Sequence, residues 1–355
     1  MNPDAEFVEV EDDGANTFVV GTRMSKLALA QTNHVVADLQ QQHPNAKFKL
    51  VEQDTLGDRV TDRPLPEVGG KGLFTEELED GLRSNEIDFA VHSLKDLPTR
   101  LPENLTLGCI TERCDPSDVL LIRSDLVKLG FRTLADLNDS DNPDHWNIGT
   151  SSLRRLAQIN HMFPFKHRLN IIGIRGNLDS RIAKLEAHAK NEGQESVQHE
   201  GQSYAATILA YAGLERQGHE YLDRITSTFD QNDMLYSVGQ GSLGIECRAG
   251  DDRVLNLLKP LQHHSSYVRC TAERAFLELL EGGCHAPIAV RSEYDPDTKI
   301  VQLVGRVLSI DGRSVLEYRS ESDEEYAEEM GYHVARELLH HGAAEIIAGT
   351  SKSSE

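Results

Sequence analysis

The chain has 355 residues, of which 39% are apolar, and it carries 58 acidic against 36 basic side chains for a formal charge of −22. That length predicts two or three domains. The acidic excess argues against a nucleic-acid partner, which needs a basic face, and no apolar run is long enough to span a membrane.

The start, "MNPDAEFVEVEDDGANTF", lacks an apolar or arginine-rich targeting pattern and reads as a short solvated tail over residues 1–16. "TFVVGTR" is a β-branched strand, and "SKLALAQTNHVVADLQQQ" follows with apolar residues at helical spacing and Ser25 as N-cap. "FKLVEQD" is a strand. A polar loop with Pro64 and Pro66 leads to "GGKGLFTEELEDGLRS", a glycine loop opening a helix. "IDFAVHSL" and "LTLGCITER" are further strands, so this stretch predicts an α/β unit with a mainly parallel sheet.

At "CDPSDVLLIRS" the pattern restarts, with Asp115-Pro116 as the crossover. "WNIGTSS", "LRRLAQINHMF", "RLNIIGIRGN" and "LDSRIAKLEAHAKN" alternate strand and helix. "NEGQESVQHEGQS" is polar, and the segments 125–146 and 188–203 read as insertions without motifs. The glycines of "YSVGQGSLGIECRAGD" imply a backbone passing close to something, and this segment is expected to recross to the first unit. A helix at "SSYVRCTAERAFLELLEGG", three strands with an Asp/Gly turn at "SIDGRS" and a last helix predict a small α+β domain. The expected units are 17–116 with 238–259, 117–237, and 260–355.

Five scattered cysteines without a C-x-x-C pair make a disulfide framework implausible and fit a reducing compartment, the cytoplasm. Cys284 stands in "EGGCHAP", where the neighbouring histidines lack zinc-site spacing. A nucleophile, an attachment point and an ordinary loop residue remain open. The pairs His263–His264 and His340–His341 read as solvated helix faces.

Cations recur where strands end: Arg23, Lys71, Lys95, Arg154, Arg155, Arg175 and Arg181. Strand ends and helix N-termini of a parallel sheet face the ligand crevice, and arginine forks match carboxylates. Any one of these could be a surface salt bridge. Seven at equivalent positions favour a polyanion site. Asp96, after Lys95 in "HSLKDLPT", is the lone carboxylate there, suited to proton transfer or to facing a cation. A turn cap is the competing reading. The spacing of "GGKGLF" is wrong for a P-loop, and "GQGSLG" lacks the dinucleotide context.

Seven segments occur together in order: "GTRMSKLALAQ", "GGKGLFTEELE", "IDFAVHSLKDLPT", "IGTSSLRRLAQ", "IRGNLDSRIAKL", "VGQGSLGIECR" and "AERAFLELLEGGCHAPIAV". Over roughly 17–290 the chain resembles the porphobilinogen deaminase family. The resemblance implies two periplasmic-binding-protein-type α/β domains flanking a cleft, and a third α+β domain holding a dipyrromethane cofactor by a thioether. It implies an enzyme that joins four porphobilinogen units to that primer with loss of ammonia, then releases hydroxymethylbilane by hydrolysis.

By that resemblance Cys284 is the attachment cysteine and Asp96 the catalytic carboxylate. Lys95, Ser93, Ser152, Arg154, Arg155, Arg181 and Gln240 hold the cofactor. Arg23, Ser25, Arg175 and Lys71 meet the substrate, with Lys71 on a covering loop. A monomer with no metal, membrane or nucleic-acid partner is expected. Glu67 stands where many members carry lysine, and His285 receives no role. One rival is a non-catalytic binding protein of the same fold with an anionic ligand. The other is an enzyme using Cys284 as nucleophile.

Overall fold

The computed structural model describes residues 16–55, 75–140, 145–165, 168–189, 202–280 and 286–352. Strands β1 (Thr17–Arg23), β2 (Lys47–Gln53), β3 (Phe89–Ser93) and β4 (Leu105–Ile110) come first. Then follow β5 (Asp118–Ile122), β6 (Trp146–Gly149), β7 (Leu169–Ile172), β8 (Ala206–Ala210) and β9 (Ser227–Thr228). Last are β10 (Leu243–Arg248), β11 (Ile288–Asp295), β12 (Ile300–Leu308) and β13 (Val315–Asp323). The longer helices are α1 (Lys26–Gln42), α2 (Glu76–Arg83), α3 (Leu153–Met162), α4 (Leu178–Glu186) and α5 (Asp252–Leu258). They continue with α6 (His264–Leu280), α7 (Ala327–His340) and α8 (Ala343–Lys352).

The first sheet has the order β2-β1-β3-β10-β4 and the second β7-β6-β8-β5-β9. In each, four strands point the same way and the fifth, β10 or β5, runs antiparallel to both its neighbours. The two lobes are therefore one topology used twice, and each completes its sheet with a strand lying next to a lobe-to-lobe crossing. Asp115-Pro116 lies between β4 of the first sheet and β5 of the second, and "YSVGQGSLG" leads from β9 of the second sheet to β10 of the first.

Glycine makes the return possible. Gly239 and Gly241 have φ of +70° and +93°, in the left-handed region. A Cβ on Gly241 would lie 2.5 Å from the Cys114 carbonyl oxygen, and one on Gly239 would lie 2.9 Å from Leu94. Here the two crossing segments run side by side, with Cys114 N–H donating to the Gly241 oxygen at 3.2 Å.

Each lobe is packed on both faces of its sheet. Phe18, Val35, Leu39, Phe89 and Ile245 fill one face of the first lobe, and Leu78, Leu82 and Ile87 the other. Ser25 caps α1 as expected, accepting from Ala28 N–H at 3.3 Å. In the second lobe the segment read as an insertion contributes to the core: Leu126, Leu134 and Leu137 are buried with Ile122 and Ile148. Two short helices, Ser124–Lys128 and Leu134–Asn138, carry them, too short to show a period. Helix α4 is shorter than its pattern predicts, because Leu185 is its last side chain buried in the core.

The third unit is an antiparallel β11-β12-β13 meander backed by α6 and α7, with Phe276, Val301, Leu303 and Val334 at its centre. Buried Glu273 on α6 fastens it to the crossings. It accepts from Arg113 Nη1 and Nη2 at 2.6 and 3.1 Å, from Gly239 N–H at 2.8 Å and from Ser292 Oγ at 2.5 Å. His264, His340 and His341 are exposed, as read from the sequence, and no cluster of metal-ligand type occurs among the described residues.

Candidate functional site

Strand β3 ends in a 3-10 turn, Leu94–Asp96, that presents two consecutive charged side chains. Buried Leu94 anchors it: its N–H donates to Ser242 on the return segment at 3.0 Å, and Leu97 N–H closes the turn onto Leu94 at 3.2 Å. Ser93 accepts from Gln31 Nε2 of α1 at 2.8 Å, which ties the turn to a second element. The anchoring leaves Asp96 exposed and Lys95 half-buried. Burial lowers the Lys95 ammonium from its ordinary value, Asp96 and Asp118 oppose that shift, and Arg155 and Arg154 add to it.

On the second lobe, α3 opens with Ser152 as N-cap, followed by the paired arginines. Both turn inward and are buried. Arg154 Nη1 donates to Asp118 Oδ2 at 2.6 Å and to the Leu235 oxygen at 2.7 Å. Arg155 Nη2 donates to Asp118 Oδ1 at 2.8 Å, and its Nη1 to the Ile208 oxygen at 2.7 Å. Burial would raise the Asp118 carboxyl, but Arg154 and Arg155 outweigh it and hold the group far below the usual carboxylate range. Gln240 completes this set, donating to Asp118 Oδ1 at 2.9 Å and to the Pro116 oxygen at 2.6 Å.

Arg181 on α4 is pushed down to about 10, first by burial and then by Arg155, with a smaller push from Arg175; Asp96 pulls it back up. The Asp96 charge is thus felt by Lys95 on its own lobe and by Arg181 on the other. Arg23 closes β1 beside β3, Ser25 caps α1, and Arg175 lies in the loop before α4.

The structure brings Lys95, Asp96, Arg154, Arg155, Arg175 and Arg181 into one electrostatic neighbourhood. It gives Ser25, Ser93, Ser152 and Gln240 structural hydrogen bonds beside it. Cys284 and Lys71 lie outside the described residues. The sequence reading missed Asp118, which takes much of the hydrogen-bonding capacity of Arg154 and Arg155. Its signal was an aspartate opening the otherwise apolar strand "DVLLI", since a buried carboxylate needs cationic partners.

A dipyrromethane, whose rings carry acetate and propionate arms, suits this donor set. Arg155 Nε is buried without a hydrogen-bond partner. Lys95 and Arg181 are both depressed, first by burial and then by neighbouring arginines, and added negative charge there would oppose that shift.

Comparison with known proteins agrees. The family model described as porphobilinogen deaminase, dipyromethane cofactor binding domain, matches residues 18–256, and that for the porphobilinogen deaminase C-terminal domain matches 267–340. The chain belongs to the porphobilinogen deaminase family. A porphobilinogen deaminase of Gloeobacter violaceus is 46% identical over 301 residues, covering 85% of this chain and 84% of that one. Those of Synechococcus elongatus and Nostoc sp. are 46% and 43% identical, covering 84% and 87% of this chain and 84% and 86% of theirs. Among solved structures, the methionine binding protein MetQ is 11% identical with a TM-score of 0.38, covering 70% of this chain and 89% of its own. That overlap is too loose to bear on function. The family match supports a transferase of tetrapyrrole synthesis with a dipyrromethane cofactor, and leaves the non-catalytic binding alternative without support.

Proposed function

We infer that the chain joins four porphobilinogen units in turn to a dipyrromethane held on Cys284, releasing ammonia at each step and finally hydroxymethylbilane by hydrolysis. The observation that carries the residue roles is the placement of Asp96: one exposed carboxylate among cations, acting electrostatically on Lys95 and on Arg181 of the opposite lobe.

When bound, the dipyrromethane supplies the pyrrole carbon that receives the first unit, and a covalent anchor. Lys95, Arg155 and Arg181 bind its carboxylate arms, with Ser93, Ser152, Arg154 and Gln240 shaping the wall around them. Arg23, Ser25, Arg175 and Lys71 hold the arms of the incoming ring. Asp96 gives a proton to the departing amine. As a carboxylate it then faces the cation left on the substrate, and it next takes the proton from the newly joined ring carbon. Each arginine opposes carboxylates with a planar fork that stays charged at neutral pH.

The unit boundaries in this reading are 17–116 with 238–259, 117–237, and 260–355, supported by which strands share each sheet. The protein works as a cytoplasmic monomer on a small-molecule substrate. Among the described residues, no helix is long and apolar enough to cross a membrane. Intact-mass measurement tests the central claim. Incubation with porphobilinogen should add the dipyrromethane mass to the chain and block the Cys284 thiol; an unmodified chain after incubation refutes it.

A further inference from the structure

Besides the crossings, the lobes are joined by a polar contact between their helices. Lys26 is the first residue of α1, on the first lobe. Asp179, at the start of α4, and Tyr221, in the short helix His219–Leu222, belong to the second. Lys26 Nζ donates to Tyr221 Oη at 2.6 Å, Tyr221 Oη donates to Asp179 Oδ1 at 2.5 Å, and Lys26 Nζ lies 3.9 Å from Asp179 Oδ2. The same ammonium is 4.9 Å from the centroid of the Tyr221 ring.

The three partners differ in rigidity. Tyr221 is 8% exposed and packs with Val119, Leu121 and Leu214, so its hydroxyl is held in place by the second-lobe core. The Lys26 and Asp179 side chains are 58% and 49% exposed. An exposed ion pair is weak and screened by salt, so a contact of this kind forms and breaks easily. The helices it joins are ones that place proposed substrate and cofactor residues. Ser25 caps α1 immediately before Lys26, while Arg175 precedes α4 and Arg181 lies on it.

We propose that Lys26, Tyr221 and Asp179 form a breakable bridge that sets the distance between the lobes, making them positioning residues for substrate at the cleft. This rests on the transferase reading, in which the cleft must hold a chain that grows. The bridge keeps Arg175 and Arg181 opposite Arg23 and Asp96 while a unit binds, and it gives way as the cleft fills.

Kinetics of Lys26→Ala and Tyr221→Phe test it, the latter keeping the packed ring. Each should raise the KM for porphobilinogen about threefold to tenfold while kcat stays within about twofold, and the Lys26→Ala difference should shrink at high salt. An unchanged KM in both variants overturns the proposal. A Lys26→Cys/Asp179→Cys protein treated with a short, reducible bifunctional thiol reagent supplies a measurement that needs no substrate. High-yield linkage of these two positions is expected, and failure to link them refutes the contact whether or not the transferase reading stands. The linked protein should accumulate early adducts by intact mass and resume turnover on reduction. Product release at the unlinked rate also overturns it.

Discussion

The two lobes share one strand order, yet they hold Asp96 and Asp118 in opposite ways. On the first lobe Asp96 sits on a pinned 3-10 turn and projects exposed. On the second, Asp118 is buried and locked by Arg154, Arg155 and Gln240. One topology therefore leaves a carboxylate projecting on one side and buries another against two arginines on the other. The lesson concerns partners: a carboxylate locked by two arginines is structural, and one left projecting among cations is available for chemistry. Arg154 and Arg155, adjacent in sequence, both give their hydrogen bonds to buried acceptors: Asp118 and the Leu235 and Ile208 oxygens.

That contrast can be broken from either side. Asp118→Ala should have the largest effect. It leaves two buried guanidinium groups without their anion, at a cost to stability of about 3–5 kcal/mol. A urea titration of the variant should show that loss, with Asp118→Asn intermediate; a midpoint like that of the parent would mean that Asp118 is not the lock. Asp96→Asn should leave the urea midpoint and cofactor mass unchanged while lowering kcat by about 10²–10³-fold. Single-turnover release of ammonia measures it, and near-parental turnover would remove Asp96 from its role.

The crowded cations give a subtler difference between loaded and cofactor-free protein. Because the Lys95 pKa is depressed below its usual 10.5, the unfolded chain binds more protons at this site in the window below that value. Stability of the cofactor-free chain should therefore gain from this group as pH rises through that window. Bound carboxylates relieve the depression and flatten the dependence. Melting curves across alkaline pH, compared with Lys95→Met, read the change; an identical slope in the variant would exclude Lys95 as its source. The smallest effect is expected at Asn177, which caps α4 by accepting from Ser180 N–H at 2.9 Å. Asn177→Ala should cost about 1 kcal/mol in a urea titration, with a modest rise in KM as Arg181 loosens.

Much of this was legible in the sequence. The strand–helix alternation, the Ser25 cap, the return through "VGQGSLG" and the charged turn after "IDFAVHSL" follow from local pattern and turn chemistry. The Asp118 lock did not, because its partners come from α3 and from the return segment and meet only across the folded sheet. The packing of Leu126, Leu134 and Leu137 was hidden for a related reason: five-residue helices bury apolar side chains without repeating a period. The recurrence of cations at strand ends singled out Lys95 and Arg181, and their crowding with Arg155 emerged only from the fold.

The paired crossings have a mechanical consequence. Gln240 reaches from one crossing to the Pro116 oxygen on the other, and Arg216 Nη2 donates both to the Gly241 oxygen at 2.6 Å and to Cys114 Sγ at 3.4 Å, so the two segments form a laced seam. A body joined by such a seam swings about it, and displacement grows with distance from that line. Asp118, bound directly to Gln240, lies beside the seam. Arg154 and Arg155, bound to Asp118, are held next to that seam.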